Sequence, residues 1–115
     1  MSTSDQIVEL TRRWYNYVSL DHHKDRDCHF YVEKKWSYGQ EPVYMAHHDG
    51  YRVRNYWHSQ EFSTAAEAEE ALLKWLTHTI NGEIMFLKDR LNAPEEDWMH
   101  DNETIRRELD ALEGK

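Results

Sequence analysis

Cysteine, proline and glycine are scarce in this chain of 115 residues, which has 1 cysteine, 2 prolines and 4 glycines. The lone Cys28 excludes an internal disulfide and a thiolate metal centre, which favours a reducing, cytoplasmic compartment. No apolar run approaches the roughly 18–20 residues of a membrane span, and the opening MSTSDQ lacks the features of a secretory signal. We therefore expect a soluble protein with no membrane partner.

Basic residues are also in the minority, with 14 Lys and Arg against 22 Asp and Glu and a formal net charge of −8. Residues 59–115 hold 14 of the acidic groups and only 6 of the basic ones. An aromatic content of 13% nevertheless indicates a packed core. The length fits a single α+β domain over residues 1–92, with residues 93–115 forming an acidic linker and a short C-terminal helix packed on it.

Hydrophobic periodicity predicts three helices. The first runs from about Ser4, its expected N-cap, to Leu20. The second begins after a capping box formed by Thr64 and Glu67 and continues through Gly82 to Asn92. The third starts at Asn102 and ends at Gly114.

Between the first two helices the apolar period changes to two, which predicts three strands. We expect them at residues 28–38, 43–48 and 51–59. Asp49-Gly50 is typical of a tight type I′ hairpin turn between the last two strands. The predicted fold is thus α+β, with order α-β-β-β-α-α and a three-stranded antiparallel meander that has helices on one face.

This element order resembles double-stranded RNA-binding domains over roughly residues 4–80. The resemblance stops at element order, because the start of the second helix reads Ser63-Thr64-Ala65-Ala66-Glu67-Ala68-Glu69-Glu70 where that family has lysines that bind phosphate. The resemblance therefore implies no binding residues here.

Alternation along the strands separates two sets of side chains. The set predicted to meet the helices is Cys28, Phe30, Val32, Trp36, Val43, Met45, Val53 and Trp57. The opposite set, predicted to face solvent, is His29, Tyr31, Glu33, Lys35, Tyr44, Ala46, His48, Arg52, Arg54, Tyr56 and His58.

The solvent-facing set is rich in tyrosine, arginine and histidine, residue types that suit a binding surface. The candidate binding residues are Tyr31, Tyr44, Arg52, Arg54, Tyr56 and His58. The alternative surface is the acidic start of the second helix, with Glu67, Glu69 and Glu70, which suits a basic partner. Tyrosines are also good strand formers that pair across strands, so a purely structural role stays open.

No sequence pattern supports catalysis, since there is no nucleophile elbow, no glycine-rich phosphate loop and no HExxH or CxxC spacing. We predict no catalytic residues, no metal and no cofactor. The favoured function is a non-catalytic module that binds a protein, such as an inhibitor, immunity-type or adaptor protein, with a homodimer as a further possibility. One alternative is a nucleic-acid-binding protein that uses the sheet as a stacking platform, although the net charge makes nucleic acid a poor partner. A second alternative is a metal-binding protein or metalloenzyme that uses the histidines.

Overall fold

A computed structural model describes residues 2–20, 28–53, 57–92 and 102–115, without the side chains of residues 57–59. These ranges contain helix α1 (Thr3–Ser19), strands β1 (Cys28–Lys35), β2 (Val43–Gly50) and β3 (Trp57–Phe62), and helices α2 (Ala65–Leu91) and α3 (Asn102–Glu113). The predicted class and the order α-β-β-β-α-α are confirmed. The predicted linker lies in residues 93–101, outside the described residues.

Polar side chains fix where the first two helices begin. Ser2, and not Ser4 as predicted, caps α1, because its Oγ accepts a hydrogen bond from the backbone N–H of Asp5 at 3.1 Å. Thr64 caps α2 as predicted, and its Oγ1 accepts from the N–H of Glu67 at 3.2 Å. Helix α2 then continues through Gly82 as predicted, so one helix of 27 residues lies along both the sheet and the other helices.

The strands form one antiparallel sheet in the order β1-β2-β3, in which Phe30 lies opposite His48 and Val32 opposite Ala46. Because residues directly opposite each other share a face, Ala46 and His48 join Phe30 on the face that the helices cover. All three are buried. The predicted orientation of β2 is therefore wrong, and Met45, opposite Glu33, lies on the open face.

The ends of β1 and β2 differ from the predicted ones. β1 stops at Lys35, so Trp36, predicted in the core, is 67% exposed. Asp49 and Gly50 belong to β2 and are not the centre of a hairpin turn. The turn comes later, where the N–H of Val53 donates to the carbonyl of Gly50 at 3.1 Å.

The core lies between the covered face of the sheet and the helices. Helix α2 contributes Leu72, Trp75 and Leu76 to this core, and α1 contributes the fully buried Trp14. Helix α3 packs on α1 and α2 through a buried apolar stripe. The members of that stripe are Ile105, Leu109 and Leu112. All three helices therefore share one core with the sheet, which leaves the other face of the sheet uncovered by them.

Candidate functional site

The open face of the sheet carries a small aromatic and polar cluster. The ring of Tyr31 stacks on that of His47 across the strands, with centroids 4.4 Å apart and planes inclined by 16°. His47 Nε2 lies 3.2 Å from Glu33 Oε1, and the ring of His29 is 6.3 Å from that of Tyr31. Tyr31 is 46% exposed, so it is accessible on this face as predicted. These contacts hold the flat Tyr31 ring in place at the surface.

Tyr44 does not join this cluster. It lies opposite Lys34 on one side and Phe62 on the other, and Phe62 contacts the core residue Trp75. Tyr44 is half-buried and packs against the core. Its predicted position on the open face is wrong for the same reason as the orientation of β2, since Tyr44 and Ala46 share a face.

Arg52 is also not on the open face. It occupies the turn after β2 with a φ of 66°, a left-handed conformation that most residues avoid. Its guanidinium lies 5.1 Å from the centre of the Tyr17 ring, and Nη1 is 3.6 Å from Glu108 Oε2. Contacts with α1 and α3 offset the backbone strain, so Arg52 ties the hairpin to the helices.

The remaining residues of the predicted sheet-face site cannot be placed with these. Arg54 and Tyr56 lie outside the described residues, and His58 lies in β3 but its side chain is outside the description. Of the six predicted residues, the described structure therefore places Tyr31 alone on the open face.

The alternative acidic surface begins α2. Glu67 and Glu70 are exposed and Glu69 is half-buried. The hydroxyl of Thr64 donates to Glu67 Oε1 at 3.0 Å, so the Glu67 side chain is part of the helix cap. A negative charge there also complements the positive end of the helix dipole. The helix cap accounts for the glutamate at position 67 without any binding partner. No contact among the described residues accounts for the glutamate at position 70, Glu70.

The sequence did not predict a surface that lies at one end of the sheet, where β1 connects to β2. Trp36 is 67% exposed and Tyr38 is fully exposed. Lys34 Nζ lies 4.3 Å from the centre of a Trp36 ring. We call Lys34, Trp36 and Tyr38 the aromatic tip.

The aromatic tip is built on a tight turn. The N–H of Gln40 donates to the carbonyl of Ser37 at 3.1 Å, and Gly39 has a φ of 76°. A positive φ at the third position is typical of a type II turn, which favours glycine there. The turn therefore holds Tyr38 at its second position, pointing away from the core. The sequence Tyr38-Gly39-Gln40-Glu41-Pro42 predicts a turn here, but it does not predict the exposure of Trp36.

Two buried polar pairs connect the elements beneath the sheet. His48, 1% exposed, has Nε2 2.9 Å from the hydroxyl of Thr79 on α2, and burial lowers its pKa to about 4. The hydroxyl of Tyr17 donates to Oε2 of the buried Glu83 at 2.7 Å. Burial first, and this hydrogen bond second, raise the pKa of Tyr17. Both pairs are enclosed in the core, where they fix the positions of strand and helices.

The described residues add no support for a metal site or a membrane span. Within the part of the chain that the structure describes, no group of three His, Cys, Asp or Glu side chains is arranged to hold a metal ion. Over the same ranges no helix combines the length and the apolar character needed to cross a membrane.

Comparison with known proteins identifies no relative: no family model matches the sequence, and no curated protein or solved structure matches it significantly.

Proposed function

We propose that the protein is a non-catalytic protein-binding module, with an inhibitor or adaptor role, whose main contact surface is the aromatic tip. The observation that carries the proposal is the exposure of Trp36 and Tyr38 on a tight turn. Tryptophan and tyrosine are enriched among the residues that contribute most to binding, because each buries a large rigid surface at little entropic cost. Exposed aromatic side chains of this size also contact water unfavourably in the free protein.

A protein partner fits the charge of the chain better than nucleic acid does. The net charge of −8 repels phosphate, and the acidic groups are concentrated in residues 59–115. The acidic start of α2, including Glu70, would attract a basic partner over a distance, while the aromatic tip supplies close contacts. The single cysteine supports a cytoplasmic location for this interaction.

Affinity capture with matched variants tests the proposal. The Trp36→Ala/Tyr38→Ala double variant removes both exposed rings, and Val8→Ala/Tyr15→Ala removes comparable exposed side chains from α1. We expect a specific partner from the source organism to bind the parent and the α1 variant. Its affinity for the tip variant should fall by at least about 30-fold, the effect of losing one anchor worth about 2 kcal/mol.

Equal affinity of a captured partner for both variants would refute the aromatic tip as the contact surface. Circular dichroism of each variant shows whether the fold is retained. Because all four side chains are exposed, we expect both variants to melt close to the parent.

Binding of single-stranded nucleic acid is the alternative that one observation favours. Lys34 and Lys35 precede the exposed Trp36 and Tyr38, and aromatic rings beside cations can stack on bases. Fluorescence anisotropy with labelled single strands and duplexes at about 150 mM salt tests it. We expect no micromolar binding to either. Binding that weakens steeply with salt and is lost in Trp36→Ala would establish the alternative.

A further inference from the structure

Strand β1 lies at an edge of the sheet. The strand order is β1-β2-β3, and within the described residues β1 pairs with β2 alone. An edge strand presents a row of backbone N–H and C=O groups that can pair with another strand. β1 has 8 residues, more than the 6 of the opposite edge strand β3.

We propose that β1 pairs antiparallel with β1 of a second copy of this chain, about a twofold axis at Tyr31. The two sheets then form one continuous sheet. A twofold axis perpendicular to the sheet keeps the helices of both copies on the same face, as the burial of Phe30 requires. The paired residues 29–33 do not include the exposed rings of Trp36 and Tyr38, so the inference does not rest on the proposed function.

The axis at Tyr31 follows from the side chains that it brings together. It places His29 of each copy opposite Glu33 of the other, on the open face, and Phe30 opposite Val32 on the covered face. Val32 is half-buried within one copy, so an apolar neighbour from the second copy would cover more of it. Tyr31 lies opposite its own counterpart, and aromatic pairs across strands are favourable.

Axes further along the strand, at Val32 or Glu33, pair it less well. An axis at Glu33 sets two carboxylates directly opposite each other, which is destabilising. An axis at Val32 sets Phe30 opposite Lys34 and His29 opposite Lys35. The axis at Tyr31 sets Lys34 opposite Cys28 at the end of the strand and leaves Lys35 opposite no residue of β1. Lysines at an edge strand then restrict the pairing to one register.

Charge-reversal variants test both the dimer and its register. Sedimentation equilibrium of the parent should show a concentration-dependent shift from 14.0 kDa to twice that mass. His29→Glu places like charges opposite each other twice in the symmetric dimer, and should weaken the dimer at least about tenfold. Glu33→Lys should also weaken it. The double variant His29→Glu/Glu33→Lys sets opposite charges against each other across the axis and should recover the dimer.

Glu61→Lys is the matched control for Glu33→Lys. It also replaces a glutamate by a lysine, but at an exposed position in β3, opposite Met45. It should leave the dimer unchanged. Thermal unfolding checks folding, since residue 29 also lies opposite Asp49 within one copy. A parent that stays monomeric at several hundred micromolar overturns the proposal. A double variant that associates no better than either single variant also overturns it. A tighter dimer in His29→Glu would overturn the register, because it would place the axis at Val32.

Discussion

Mild acid should destabilise this fold through one side chain, His48. It is 1% exposed, and burial lowers its pKa from 6.5 to about 4, because an imidazolium in the core would lose its hydration. Nε2 lies 2.9 Å from the hydroxyl of Thr79, while Nδ1 is buried without a hydrogen-bond partner among the described residues. The folded protein therefore holds His48 neutral at a pH where the unfolded chain would protonate it.

The size of the effect follows from the two pKa values. Since the folded pKa is the lower one, the unfolded state binds the proton first, and stability falls as the pH drops below 6.5. Between pH 7 and pH 5 this linkage amounts to about 2 kcal/mol for this single residue. The loss should level off below pH 4, where His48 would be protonated in both states.

Urea unfolding of the parent and two variants at pH 7 and pH 5 measures this. His48→Gln removes the titrating ring and keeps a polar group that can reach Thr79, so its free energy of unfolding should fall about 2 kcal/mol less than the parent's over this range. His78→Gln removes an exposed histidine from α2 and serves as the matched control. If His48→Gln and the parent showed the same pH dependence, the reasoning about burial would be refuted.

Three further predictions concern the helices, each measured by urea unfolding. Gly82→Ala should raise the free energy of unfolding by about 0.5–1 kcal/mol, because an added Cβ meets nothing within 4 Å and alanine is the better helix former; a loss would show a hidden role for glycine. Tyr17→Phe should lower it by about 1–3 kcal/mol, since Glu83 loses a buried donor at 2.7 Å; a neutral result would remove this bond from the account of the core. Thr64→Ala should cost about 1 kcal/mol through the lost cap, whereas Thr77→Ala, at an exposed position inside α2, should not destabilise.

The helices were predictable because their signals are local. Apolar spacing over 3–4 residues identified all three, and the Thr64 cap with Glu67 followed directly from the capping pattern. The N-cap of α1 was misplaced because Ser2 and Ser4 both suit the position. Continuity through Gly82 was also correct, since the stripe stays in phase across it and one glycine costs less than a broken helix.

The orientation of β2 was not predictable from alternation alone. Val43 and Met45 form one apolar set and Tyr44 and Ala46 form the other, so hydrophobicity does not choose between them. Pairing decides it, because β1 must bury Phe30 and the register brings His48 beside it. His48 can then reach Thr79 on α2. A buried histidine with a partner on another element is a tertiary feature that the strand sequence does not contain.

That same orientation changes where a partner can dock. With Tyr44 half-buried and Arg52 held by Tyr17 and Glu108, the broad tyrosine and arginine platform expected from the sequence is not present among the described residues. The most exposed aromatic side chains there lie instead at the end of the sheet, on the turn after Trp36. A partner that binds the aromatic tip would contact the end of the sheet where β1 connects to β2. A second copy paired at Tyr31 would set the two aromatic tips at opposite ends of the shared sheet, because the two β1 strands run antiparallel.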